Sequence, residues 1–309
     1  MIDVLALRMT SIPGTVDVQV FRGERATVTA VPDLLIEIPH GATETADFRA
    51  LERRLTSPLP PSLVDFFHVN TDAGAPELAE AVARRFVALE PKRVALVLRC
   101  RIPRTFIDCN RRIDASPAEL KAGGVTPGLM PWITTVEDRE LLLALYRDYV
   151  GVVRDASHGL ARDGAMVMLH SYAPRTVDVE VDLQIVEGLH RAYRPEVEPT
   201  FPLRPELDVI GRTADGVSHA PASVVEMLSR GLAPLGLTVA DSATYPLHPS
   251  TLAWNHVMRH PGRALCLEVR RDLLADPFDP FVEMTISAEK VARLCEPLVA
   301  ALRGWWSRT

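Results

Sequence analysis

Four apolar runs in the sequence end in polar residues of the kinds that do chemistry. LLIEIPHGATE stops at Pro39-His40-Gly41 with Glu44 close behind, and GAMVMLHSY carries His170 followed by Ser171. RVALVLRCR leads into Arg104-Thr105-Phe106-Ile107-Asp108-Cys109-Asn110-Arg111, and RALCLEVRR embeds Glu268 in an apolar stretch. Two histidines and a carboxylate are the ligand set of a catalytic zinc, which takes three protein side chains and keeps a fourth position open. Such an ion lowers the pKa of its water toward neutrality and polarises a carbonyl; a further carboxylate can act as general base and an arginine can steady the oxyanion. Either histidine alone is more simply a hydrogen-bonded core or rim residue. Glu268 is harder to place as a bystander, because an unpaired carboxylate inside an apolar strand is expensive. Its plain partner would be Arg270, which shares its strand face; Arg271 points the other way.

These residues need elements to hold them. Continuous apolar runs suit strands covered on both faces, as in a parallel sheet. Between them the 3.6-residue periodicity predicts helices over residues 75–86, 136–161, 222–235 and 287–305. Strands alternating with helices give an α/β fold, a central mostly parallel sheet covered by helices on both faces. Ligands in such sheets collect beyond the carboxyl ends of the strands, where His40, His170 and the Arg104 loop fall. Near the start, VDVQVFRGERATVTA alternates about Gly-Glu and predicts a β-hairpin over about 15–30. Pro- and Gly-rich stretches at 56–62, 123–131 and 195–205 read as excursions from one domain spanning 1–309.

Composition narrows the class. The 309 residues are 47% hydrophobic and 24% charged, within the range of globular proteins, and the net charge of −6 offers no footprint for nucleic acid or an anionic membrane. Cys100, Cys109, Cys266 and Cys295 are scattered without a Cys-x-x-Cys pair and read as buried free thiols. Asp3 and Arg8 interrupt the start where a secretory signal needs an apolar core, and no run of eighteen apolar residues occurs, so the expected address is the cytoplasm. The Trp305-Trp306 pair reads as cover for a core edge, with a homo-oligomer contact as the alternative.

IPHGATE, FHVNTDAGAPELAEA, PRTFIDCNRR, MLHSY, NHVMRHPG and LEVRRDLL, in this order, resemble the N-formylglutamate amidohydrolase (deformylase) family from about residue 34 to 274. The resemblance implies a zinc-carboxypeptidase-like (phosphorylase/hydrolase-like) fold and one zinc ion held by His40 and His170. Asp72, at the start of the next helix, is preferred as third ligand over Glu44, and an N-cap is its plain structural role. By the same resemblance Glu268 is the general acid/base and Arg104 the oxyanion arginine. Asn110 and Arg111 grip a substrate carboxylate, a task that suits a guanidinium fork beside a directional amide. His256, Arg259 and His260 match a late basic motif, implying a second substrate-carboxylate site or a transition-state donor. Pro-His-Gly-Ala replaces the usual Pro-His-Ser-Gly, VDVEVDL at 177–183 replaces a Gly-rich stretch, and TLAWN at 251–255 stands where deformylases often have Lys-Gly-Gly. The expected activity is hydrolysis of a small N-acyl amino acid, most simply N-formyl-L-glutamate, with the wall of the pocket altered. The alternatives are a carboxypeptidase or deacylase acting on a peptide or longer N-acyl group, and a binding protein that keeps the fold without catalysis.

Overall fold

The computed structural model describes residues 10–306, so the reading of the first residues against a secretory signal lies outside the described residues. The strands are β1 (Val16–Arg22), β2 (Leu34–Ile38), β3 (Val94–Cys100), β4 (Ala165–Tyr172), β5 (Leu207–Val209), β6 (Val239–Asp241) and β7 (Ala264–Arg270). The helices are α1 (Thr45–Glu52), α2 (Leu63–Asn70), α3 (Ala75–Leu89), α4 (Pro117–Ala122), α5 (Val136–His158), α6 (Ile185–Ala192), α7 (Ala222–Leu232), α8 (Leu252–Arg259) and α9 (Ala288–Arg303). The strands form one mixed sheet in the order β1-β3-β2-β4-β7-β5-β6. Its centre is parallel, β3-β2-β4-β7, and antiparallel pairs join β1 to β3 and β5 to β7.

The period of two in each strand sorts side chains to two cores. Leu34, Ile36 and Ile38 pack with Val167, Leu267, Leu78 and Phe86 of α3 and Leu298 of α9. Leu35, Met166, Met168 and Cys266 face the other way, onto Leu142, Tyr149 and Val153 of α5 and Val257 of α8. Truncating a fully buried member such as Phe86 to alanine would cost about 3–5 kcal/mol. His170 and Glu268 continue the second set, two residues beyond Met168 and Cys266, and are direct partners in the β4–β7 register. All four cysteines are buried and free. Trp305 packs in the first core, and Trp306 lies against Phe86 and hydrogen-bonds the Asp163 carbonyl, so the pair covers a core edge. Among the described residues no helix is long and apolar enough to cross a membrane.

The hairpin expected over 15–30 does not form. β1 is one strand whose backbone pairs with the distant β3, Val16 opposite Cys100 through Arg22 opposite Val94. Gly23 then abuts Pro91, where a Cβ would come within 2.3 Å of the carbonyl oxygen, and residues 26–30 leave the sheet. Alternation marks a half-covered strand without naming its partner, and here an edge of the parallel sheet is that partner.

Candidate active site

His40 follows β2, His170 lies near the end of β4, and Asp72 sits in the short connection between α2 and α3. The cap of α3 is Gly74, at φ +85°, and a Cβ there would meet Leu274 at 2.6 Å, so glycine is required by conformation and by space. Capping is thereby taken from Asp72, whose side chain turns to the histidines. Its Oδ2 lies 3.2 Å from His40 Nδ1 and 2.9 Å from His170 Nδ1. All three residues are buried and offer ligand atoms within 4.8 Å of one another. Tetrahedral bonds of about 2.0–2.2 Å set ligand atoms roughly 3.3–3.6 Å apart, so a small expansion of this triangle would admit a divalent ion.

Two further observations fit a metal. His40 Nε2 lies 2.8 Å from Asp108 Oδ1, an outer carboxylate that fixes the ring and leaves Nδ1 for the centre. Glu268 Oε2 is shielded from solvent with no hydrogen-bond partner, although Glu268 lines the same cavity. Burial pushes its pKa up and Asp72 adds to this, while His170 works against both. Burial also opposes ionisation of Asp72, but His40 and His170 hold its pKa well below the usual carboxylate range. Burial disfavours charge on His170, yet the Asp72 hydrogen bond and the nearby Cys266 and Glu268 outweigh it and raise the pKa well above the histidine norm. The expected Arg270–Glu268 pairing is absent: Arg270 binds Asp272 at 2.8 Å and Glu206 at 3.4 Å.

The loop after β3 is built around Asp108, which is fully buried. Its Oδ2 meets Arg104 Nη2 at 2.9 Å and Arg111 Nη2 at 3.5 Å, and its Oδ1 accepts from the Asn110 backbone at 2.8 Å. Burial raises the cost of this charge, but Arg111, Arg104 and His40 hold the carboxyl far below its ordinary pKa. The sequence reading gave Asp108 no role beyond its place in this loop. An acid between Phe106-Ile107 and Cys109 carries the same signal that singled out Glu268.

His40, Asp72, Arg104, Asn110, Arg111, His170 and Glu268 all line one cavity of about 260 Å³. Gly124–Thr126 from the 123–131 excursion contribute to its wall, whereas from 195–205 only Arg204 does. Arg175, Arg204 and Arg271 were not foreseen as lining residues; with Arg104 and Arg111 they outnumber Asp72 and Glu268, so the cavity is cationic. Arg271 is buried and bridges the carbonyls of Val69 and Ser171 at 2.5 and 3.3 Å, tying α2 to the end of β4 across the Asp72 connection. An apolar wall comes from Phe66, Ile185, Leu189 and the alternating Val177, Val179 and Val181, whose neighbours Asp178 and Glu180 face solvent. Gly188 of α6 lets Val179 approach, since a Cβ there would sit 2.5 Å from Val179 Cγ1.

Four expected site residues lie elsewhere: Glu44, His256, Arg259 and its neighbour His260. Glu44 caps α1 and pairs with Arg99 at 3.0 Å and Arg101 at 3.2 Å, because those β3-end guanidiniums are the nearest counter-charges. It is no part of the His40–Asp72–His170 group. His256 is buried against Glu37 of β2 at 3.8 Å, where Tyr149 also donates to Glu37 at 2.8 Å. Arg259, at the end of α8, is exposed and donates to His158 Nε2 at 3.0 Å. One turn of α8 separates the two residues along its axis, and neither reaches the cavity.

A family model described as N-formylglutamate amidohydrolase matches residues 33–275. The chain belongs to that family. Every residue that meets at the cavity from the sequence reading falls inside the matched span. Among solved structures, the N-formylglutamate amidohydrolase from Ralstonia eutropha JMP134 is similar at a TM-score of 0.57 and 20% identity, over 93% of this chain and 96% of that one. A gene product of Agrobacterium tumefaciens is similar at a TM-score of 0.52 and 18% identity, over 95% of each chain. Both likenesses show the same α/β fold. No curated protein matches the chain.

Proposed function

We propose that this member of the N-formylglutamate amidohydrolase family hydrolyses the amide bond of a small N-acyl amino acid, N-formyl-L-glutamate foremost, with one divalent ion, zinc, held by His40, Asp72 and His170. The observation that carries the reading is the buried His40–Asp72–His170 triangle beside an unpartnered Glu268 oxygen in one cationic cavity. When bound, the ion supplies a Lewis acid and a water acidified toward neutral pH. Glu268 takes the proton that the attacking water loses and passes it to the departing amine nitrogen, a transfer suited to a carboxyl whose pKa burial has raised. Arg104, fixed by Asp108, faces the oxyanion that develops as the carbonyl is attacked. Arg111 and Asn110 hold the substrate carboxylate; Asn110 Oδ1 is engaged by the Ala253 backbone at 3.1 Å, which leaves its amide N–H groups as donors.

Purified protein given N-formyl-L-glutamate should release formate and glutamate in equal amounts, carry one divalent ion per chain, and lose ion and turnover together on chelation. Turnover that survives complete removal of the ion would overturn the metal assignment, and an ion-loaded protein that cleaves no N-acyl amino acid would overturn the activity. The valine wall favours a second reading, in which the preferred acyl group is longer than formyl. Comparing kcat/KM for N-formyl-, N-acetyl- and N-butyryl-glutamate and for a dipeptide decides between them.

A further inference from the structure

The late basic motif has its own setting. His256 is taken up by Glu37, but Arg259 and His260 turn into a second cleft of about 410 Å³, which they share with Ser157, His158, Arg162 and Arg263. Its remaining walls are apolar or backbone, and among the described residues no carboxylate lines it. Gly164 and Arg263 directly precede β4 and β7. Five or six residues of strand, roughly 16–20 Å, therefore separate this cleft from Glu268 and His170 at the other end of the sheet.

Helix dipoles account for part of the charge. The carbonyl ends of α5 and α8 meet here, each equivalent to about half a negative charge, which together offset one of the three guanidiniums. Asp163, whose charge reaches Arg263, lies outside the cleft, is mostly exposed and is shared with Arg93 at 3.6 Å. The donors are incompletely used. Arg162 makes no hydrogen bond or ion pair among the described residues. Arg263 spends Nε on the Gly164 carbonyl at 2.8 Å and Nη1 on the Trp305 carbonyl at 3.5 Å, and its guanidinium lies over the Trp306 ring at 5.5 Å, while its shielded Nη2 has no hydrogen-bond partner. A buried guanidinium N–H ordinarily has one. Arg259 donates to His158 Nε2 and, with a single contact, keeps further N–H groups free. Ser157 Oγ and His260 Nε2, 2.7 Å apart, add a hydroxyl and a ring to the rim.

We infer that this cleft is a binding site for a small oxyanion carrying two or more negative charges, a phosphate group or a dicarboxylate, held by Arg162, Arg259 and Arg263. Guanidinium forks match either group bidentately. The site is separate from the catalytic cavity and stands whether or not the hydrolytic reading holds.

Titration calorimetry of the full chain at low ionic strength, first with inorganic phosphate and then with succinate, tests it. One anion should bind per chain at this site, and the tighter of the two probes identifies the chemistry. Arg162→Ala should weaken binding roughly tenfold and Arg162→Ala/Arg259→Ala roughly a hundredfold, one charge-assisted contact for each step. Arg111→Ala, in the catalytic cavity, should leave this binding unchanged. Arg162 has no partner to lose among the described residues, so its variant carries the test even if the double variant melts early. Unaltered affinity in Arg162→Ala, loss of binding in Arg111→Ala instead, or no heat with either probe up to about 10 mM would overturn the site.

Discussion

Substituting glutamine for Glu268 exchanges one carboxyl oxygen for an amide NH2 with almost no change of volume, so it isolates proton transfer from packing. In the folded chain this carboxyl has a shielded, unpartnered oxygen, and burial works against its ionised form. Removing the charge relieves an electrostatic cost of a few kcal/mol, and the new amide gives back about 1–3 kcal/mol through its own imperfect hydrogen bonding. The balance is a gain of about 1 kcal/mol, or about 1–2 °C in melting midpoint for a chain of this size. Turnover moves the other way. Loss of a positioned acid/base lowers kcat by about 10²–10⁴, equivalent to about 3–5 kcal/mol of barrier. Metal content should stay at one ion per chain, because Glu268 is outside the His40–Asp72–His170 group. Thermal melts, elemental analysis and formate release on one preparation read all three quantities. A variant that keeps full turnover, or that loses turnover only in proportion to unfolding, would refute the reasoning.

Three other outcomes follow from the geometry. Asp108→Asn removes the one negative charge shared by His40, Arg104 and Arg111, so it should cost about 3 kcal/mol in urea unfolding and weaken metal binding about 10–100-fold in a chelator competition. Glu44→Gln should leave metal stoichiometry intact and cost at most about 1 kcal/mol, because its pairs with Arg99 and Arg101 are half exposed; a lost ion would restore Glu44 as a ligand. Asp138 accepts hydrogen bonds from the backbones of Thr56 and Ser57, and although burial opposes its charge, these bonds hold its pKa at about 2. That lowering below the model-peptide value stabilises the fold by about 2 kcal/mol at pH above about 4, and the contribution fades as pH falls through about 2. Asp138→Asn should therefore trail the wild type in stability at pH 7 and converge with it in acid, and a gap that does not vary with pH would exclude linkage as its source.

Long-range pairing is where sequence reading ran short. The four central strands were legible because each is apolar on both faces, and the helices α3, α5, α7 and α9 because each carries one apolar stripe. β5 and β6 have three residues each, too few to set up a period, and the partner of β1 lies more than seventy residues away. At the site, the strand-end rule located His40, His170, Glu268 and the Arg104–Arg111 loop. The third corner of the triangle came from the family likeness; Asp72 lies beside the two histidines because Gly74 caps α3 in its stead. Glu44 was drawn away by nearer guanidiniums, Arg259 by an imidazole nitrogen and His256 by a carboxylate on β2, none of which motif spacing encodes.

In the proposed reading, the proton-transfer carboxyl and the apolar wall of the cavity rest on different parts of this chain. His170 and Glu268 are register partners on adjoining strands, so a slip of one residue would turn either of them to the opposite face. The valines at 177, 179 and 181 belong to a segment outside the sheet that rests on α6. On that reading, descendants of this protein could exchange the acyl group they accept by rewriting a surface segment, while the bond they break would stay written into the backbone ladder.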